Sequence, residues 1–236
     1  NNELLTDAMV SIPLKTLNRH GLIAGATGTG KTKTLQVLAE NLSLLSIPVL
    51  MMDIKGDISG LAAAGTENPK IKERQDKIGL PWTPNGYPVE LLTISKQDGL
   101  RMRATVSEFG PVLMGKILEL NDVQGSVLSL IFKWCDDNCL PLLDLKDLKK
   151  VLQYITNEGK AEIEKEYGKV STSTTGIILR KIVEMEQQGA ELFFGEKSFE
   201  VEDLTRISDD GYGVINVLRL NDIQDRPKMF STFMLC

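Results

Sequence analysis

Gly25-Ala26-Thr27-Gly28-Thr29-Gly30-Lys31-Thr32 fills every fixed position of the pattern G-x-x-x-x-G-K-[ST], the signature of a loop that wraps a polyphosphate in its backbone N–H groups. Glycines at three of the eight positions allow the φ angles and the close approach that such a wrap needs. Immediately upstream, Leu22-Ile23-Ala24 is a short apolar run of the kind a buried parallel strand shows. Downstream, Leu35, Leu38, Leu42 and Leu45 recur at helical spacing and predict one apolar stripe along a helix that opens at the loop. A second apolar run, Ile47-Pro48-Val49-Leu50-Met51-Met52, ends in Asp53. Strand, glycine loop, helix and strand make a βαβ unit, which predicts an α/β fold with a mostly parallel sheet.

The residue types follow from the chemistry of phosphate. A helix that opens at the loop directs its unpaired N–H groups and about half a unit of positive charge at the anion. Lys31 is expected to reach the β- and γ-phosphates as a point charge, and the Thr32 hydroxyl to complete the coordination of Mg²⁺. The expected nucleotide contacts are therefore Gly25, Ala26, Thr27, Gly28, Thr29, Gly30, Lys31, Thr32 and Lys33. Asp53 ends the strand beside the loop strand, where ligands collect in open α/β sheets. It is a candidate for a Mg²⁺ contact through water or for placing a nucleophile, which makes it a catalytic candidate beside Lys31. A carboxylate that merely caps the next turn is the competing reading. The guanine motif N-K-x-D does not occur, so ATP is expected rather than GTP.

With 236 residues the chain can bury a substantial core. Its net charge of −5 argues against a surface broadly suited to nucleic acid, while leaving room for DNA in a local channel. No apolar run approaches the roughly 18 residues of a membrane span, and Glu3 and Asp7 stand where a signal peptide would be basic. A cytoplasmic location without membrane attachment is the expectation. Cys135, Cys139 and Cys236 are odd in number and are expected to be free thiols, with Cys135 in the core. The Cys135/Cys139 pair has no second Cys/His pair to complete a zinc site.

Along the chain, Val10, Ile12 and Leu14 alternate as in an edge strand. Residues 66–88, punctuated by Pro69, Pro81, Pro84, Gly86 and Pro88, are expected to form an excursion outside the core. Val89–Ile94 resumes a strand, and Leu100 to Val106 alternates as a strand with Arg101 and Arg103 on a wet face. From Ser107, expected to cap a helix through Leu120, the period is helical for about eighty residues. Further helices are expected after Asn121-Asp122, from Asp144 or Lys146 to Ile155, from Ala161 to Tyr167, and after Ser171–Thr175 as far as Gly189. Gly213–Leu218 is expected to be a buried strand, and Pro227 to open a last helix. The expected organisation is a phosphate-loop core over residues 1–106, a helical insertion over 107–192 and a return to the core over 193–236. No run of four or more apolar residues after the loop ends in Asp-Glu, so either a catalytic glutamate lies beyond Cys236 or the protein is not a hydrolase.

Arg19–Thr32, Asp53-Ile54-Lys55-Gly56-Asp57, Gly110-Pro111-Val112-Leu113, Leu118–Asn121, Asp144–Leu148 and Phe193-Phe194-Gly195-Glu196 together resemble the bacterial HerA-like ATPases of the HerA/FtsK superfamily. The resemblance implies a RecA-like core with a helical insertion, hexameric assembly, and hydrolysis of ATP with Mg²⁺ that drives DNA translocation or unwinding, with a nuclease as a possible partner. It assigns Lys31 and Thr32 to phosphate and magnesium, and puts Asp53, Lys55 and Asp57 in the second-strand motif. Its Asp-Glu-Ala-His element would follow Cys236. Two other classes fit the residues alone: a phosphate-loop kinase for a small molecule, and a nucleotide-switched binding module.

Overall fold

A computed structural model describes residues 11–234, with side chains up to Phe230. Among the described residues three mainly apolar runs and one short alternating segment become strands: β1 (Val49–Asp53), β2 (Val89–Thr93) and β4 (Ile215–Arg219), and β3 (Leu100–Arg101). They form one parallel sheet in the order β1-β4-β2-β3, the α/β arrangement that the βαβ pattern predicts. Parallel neighbours need long crossovers, and the last strand in sequence duly lies between the first two. Val49 N donates to Val214 O at 3.0 Å and Leu220 N to Asp53 O at 2.9 Å. On the other side, Leu92 stands opposite Leu100 and Thr93 opposite Arg101.

The chain divides into two compact units, and the described part of the first comprises residues 11–51, 57–89 and 204–216. Its helix α1 (Lys31–Leu44) does open at the glycine loop. The buried face is not the leucine stripe, however, but Gln36, Ala39 and Ser43, while Leu35 and Leu45 are exposed. Close approach explains the choice, because small side chains let backbone meet backbone. Ser43 Oγ donates to Gly213 O at 2.6 Å and Gly213 N donates to Ser43 O at 2.8 Å. Gln36 anchors the same face, its Nε2 donating to Asp57 O at 3.0 Å.

Two expectations in this unit are corrected. Leu22-Ile23-Ala24 forms no strand, and Leu22 is 89% exposed; three residues gain too little from local contacts to order themselves without a partner strand on which to build a ladder. Ile12 and Leu14 are likewise exposed, with Leu14–Thr16 in a 3₁₀ turn, and Val10 lies outside the described residues. The expected excursion contains helix α2 (Pro69–Ile78), which begins where Asn68 Oδ1 accepts from Ile71 N at 3.0 Å and ends at Gly79 with φ 66°. Its start and stop signals, Asn before Pro and a closing Gly, are present in the sequence.

The second unit comprises residues 52–56 and 90–203 and the chain from 217 onward. It holds α3 (Val106–Ile117), α4 (Asp122–Asp137), α5 (Leu145–Thr156), α6 (Lys160–Glu166), α7 (Thr172–Gln187) and α8 (Pro227–Met234). Side-chain caps start three of them: Thr105, Asn121 and Asp144 each accept from the amide three residues on, and that residue's side chain accepts in return from the cap's own N–H. Thr105 thus ends the alternating run after β3, leaving a two-residue strand where seven residues alternate. The expected cap Ser107 instead accepts from Leu142 N at 2.9 Å. Ser171 precedes α7 without a side-chain cap, and the Thr175 hydroxyl donates to Thr172 O.

α4 and α5 both pack on α7, and α3 on α4, which buries Leu128, Ile131, Leu148, Ile178, Ile182 and Met185 completely. Phe109, Phe193 and Phe194 meet edge to face at 5.1 to 5.8 Å. Cys135 is in this core, and burial pushes its thiol up to about 11, with Asp136 and Asp147 adding in the same direction. Cys139 is exposed, and Cys236 lies outside the described residues. The thiolate is the reactive form, so iodoacetamide at pH 8 should modify Cys139 and spare Cys135. Peptide mass spectrometry reads this directly, and comparable labelling of both would contradict the packing.

Candidate functional site

The glycine loop takes the shape its residue types require. Gly28 and Gly30 sit at φ 81° and 94°, left-handed conformations that side-chain-bearing residues adopt only at a cost. A β-carbon at Gly25 would stand 2.5 Å from the Thr29 hydroxyl oxygen, so a larger residue here would force the Thr29 side chain to move. Thr29 secures the turn, its hydroxyl donating to Ala26 O at 2.8 Å. Lys31 Nζ reaches back across the loop to the same carbonyl at 2.7 Å. The ammonium thus lies over the ring closed by Ala26–Lys31.

The start of α1 has the electrostatics of an anion site. Its N-cap is Gly30, with no side-chain cap and no acidic residue in the first turn, Lys-Thr-Lys-Thr. The first hydrogen bond within the helix runs from Thr34 N to Gly30 O at 2.9 Å, so the N–H groups of Lys31, Thr32 and Lys33 point out of the helix end. Aligned peptide dipoles and two lysines add positive charge there. Gly25–Lys33, predicted as nucleotide contacts, lie together in this turn. Lys33 is directed along the helix, its Nζ donating to Gln36 Oε1 at 2.8 Å.

Asp53 belongs to the second unit. It ends β1 with 1% exposure, and its Oδ1 accepts from Gly56 N at 2.7 Å, which holds the carboxylate in the turn that follows the strand. Around it the carboxyl ends of the parallel strands carry a polar network absent from the predicted set. Ser95 Oγ donates to Asp222 Oδ1 at 2.9 Å, and Gln97 Nε2 donates to Asn221 Oδ1 at 2.8 Å. A β-carbon at Gly56 would stand 3.6 Å from Asn221 Nδ2. The signal for these residues is positional, since each follows a buried strand within a few residues of its carboxyl end. Strand order is needed to see that β2 and β4 are neighbours.

Among the described residues, no group of three or more His, Cys, Asp or Glu is placed to hold a metal ion. No helix among them is long and apolar enough to cross a membrane. No curated protein matches this chain. The model of the helicase HerA-like C-terminal family matches it over residues 2–236. With a parallel α/β sheet, a glycine loop opening a helix and a match along almost its whole length, this chain belongs to the helicase HerA-like C-terminal family.

Proposed function

We propose that the protein is an ATP-binding phosphate-loop ATPase that works as a hexameric, DNA-translocating or helicase-like motor. The observation that carries nucleotide binding is the uncapped, cationic start of α1 with Lys31 lying across the loop. Three outward N–H groups and an ammonium provide donors and positive charge that a triphosphate matches. Lys31 holds the β- and γ-phosphate oxygens and offsets charge that develops on them as the terminal phosphoryl group leaves. Thr32, first in the helix after Lys31, would hold Mg²⁺, which when bound neutralises β- and γ-phosphate charge. Magnesium keeps several waters and binds chiefly through phosphate and one or two protein oxygens, so a single hydroxyl suffices and no larger cluster is required. Family membership supports the motor reading, its assembly as a homo-oligomer, its action on DNA and a possible nuclease partner.

The test is phosphate release from ATP by the complete protein, with and without double-stranded DNA, at low and at physiological salt. DNA should accelerate turnover, and the acceleration should fade as salt rises, because phosphate contacts release counterions. Turnover indifferent to DNA at both salts would refute the motor and turn attention to a small-molecule acceptor.

A further inference from the structure

We infer that a groove alongside α1 holds the nucleoside half of the bound nucleotide, with Trp82 as the platform on which the base stacks. This rests on the proposal that the glycine loop binds the triphosphate, and it names what recognises the remainder of the ligand.

The groove lies wholly within the first unit and has a volume of about 640 Å³, inside the range usual for small-molecule sites. One wall is α1, from Lys33 through Gln36 to Glu40; the other is built by α2 and the segment after it, through Arg74, Trp82 and Tyr87. Lys33 stands two residues beyond Lys31, so the groove begins where the phosphate loop ends. From Lys33 to Glu40 the helix rises about 10 Å, so the wall runs on from the loop for about the length of a nucleoside.

Both aromatic rings are held in place. Trp82 packs over Gly65, where a β-carbon would stand 3.4 Å from the indole ring, and it remains only half-buried. Tyr87 is tied by its N–H to Leu61 O at 3.0 Å, and its ring meets Tyr212 edge to face at 6.5 Å. Gln36 is fixed from both sides, by Lys33 Nζ and by Asp57 O. Lys33, Lys70 and Arg74 outnumber the lining carboxylates Glu40 and Asp57, in a chain whose net charge is −5. Burial holds the Glu40 carboxyl above its ordinary range against the pull of Lys33, as expected of a partly water-excluded wall.

Pre-fixed aromatic faces beside excess cations are the combination that recognises a base linked to phosphate: the face stacks on any base, and the cations hold the phosphate end. The Glu40 carboxyl offers acceptors for ribose hydroxyls or for an exocyclic amine. A purely apolar ligand would make no use of the excess positive charge of Lys33, Lys70 and Arg74, and inorganic phosphate would leave the rings unused.

Tryptophan fluorescence and calorimetry with two ligands, ATP and inorganic tripolyphosphate, test this on the full chain. The chain has two tryptophans; Trp134 is buried and stacked on Tyr154, so Trp82 is the one that a ligand in the groove meets. ATP should bind at least tenfold more tightly than tripolyphosphate and should quench the emission, whereas tripolyphosphate should not. Trp82→Ala should weaken ATP about tenfold and leave tripolyphosphate unchanged. Trp82→Phe, which keeps a ring, should retain most of the ATP affinity while losing the quench. Equal affinity for the two ligands, or an ATP affinity unmoved by Trp82→Ala, would overturn the groove assignment and leave the phosphate loop standing. Failure of both ligands to bind the parent protein would overturn the nucleotide reading itself, and the groove assignment with it.

Discussion

Lys31→Ala should lower the affinity for ATP about 10- to 150-fold, the equivalent of the roughly 1.5–3 kcal/mol carried by a hydrogen bond to a charged group. The side chain has one protein partner among the described contacts, the Ala26 carbonyl at 2.7 Å, and that partner belongs to the same loop. Removing the ammonium leaves the outward N–H groups of the first turn in place, so residual weak binding is expected. Little else depends on Lys31. The fold should hold within about 0.5 kcal/mol, the usual range for a surface change away from buried features. Calorimetric titration with ATP, beside a thermal melt of the same sample, separates these effects. Unchanged affinity with an intact fold would show that the glycine loop is not the phosphate site.

Gly213→Ala should be the most damaging small substitution in the first unit, costing about 3 kcal/mol. Gly213 exchanges two hydrogen bonds with Ser43, which is fully buried on α1. An added methyl would collide with the backbone carbonyl of Ile47 and lie 2.6 Å from the nitrogen of Pro48. Backbone cannot rotate aside as a flexible side chain does, so the Ile47-Pro48 lead into β1 and the approach to β4 must separate, which also pulls on the Ser43 pair. For a protein of this size the cost corresponds to a fall in Tm of roughly 6–12 °C. Ser43→Ala provides the scale: it removes one hydrogen bond without steric conflict and should cost about 1–2 kcal/mol. A Gly213→Ala variant that melts with the parent would mean that Ile47 and Pro48 do not pack against this strand approach as described.

Nucleotide-induced stabilisation should follow from the same contacts. Ligand that binds only the folded state adds stability in proportion to the logarithm of its concentration over its Kd. ATP should therefore raise the melting temperature of the parent and barely move that of Lys31→Ala.

The helices were the most legible part of the sequence, and their caps show why. Asn121 before Asp122, Asp144 before Leu145 and the closing Gly189 act within a few residues of themselves, so their effect can be read without knowing the fold. The same local signals mark α2, in Asn68, Pro69 and Gly79, although the prolines after it give the segment the composition of a loop. The phosphate loop was legible for a related reason. Its glycine angles, its lysine and the helix it opens are all local, and eight consecutive residues carry the pattern.

Non-local partners decided what could not be read. Leu22-Ile23-Ala24 has the composition of a buried strand, but composition supplies no neighbour, and the structure leaves Leu22 exposed. The leucine stripe of α1 is real in the sequence, yet the helix turns Gln36, Ala39 and Ser43 inward, because Gly213, 170 residues away, lets Ser43 reach its carbonyl. Asp53 stands out in the sequence by its place at a strand end, whereas Ser95, Gln97, Asn221 and Asp222 join its surroundings only because β4 inserts between β1 and β2. By itself the sequence determined the α/β class, the glycine loop that opens α1 and the caps at Asn121 and Asp144, since each depends on bonds and torsions within one or two turns of chain. Strand order, the inward face of α1 and the groove under Trp82 were decided by tertiary structure alone, because each depends on surfaces brought together from distant parts of the chain.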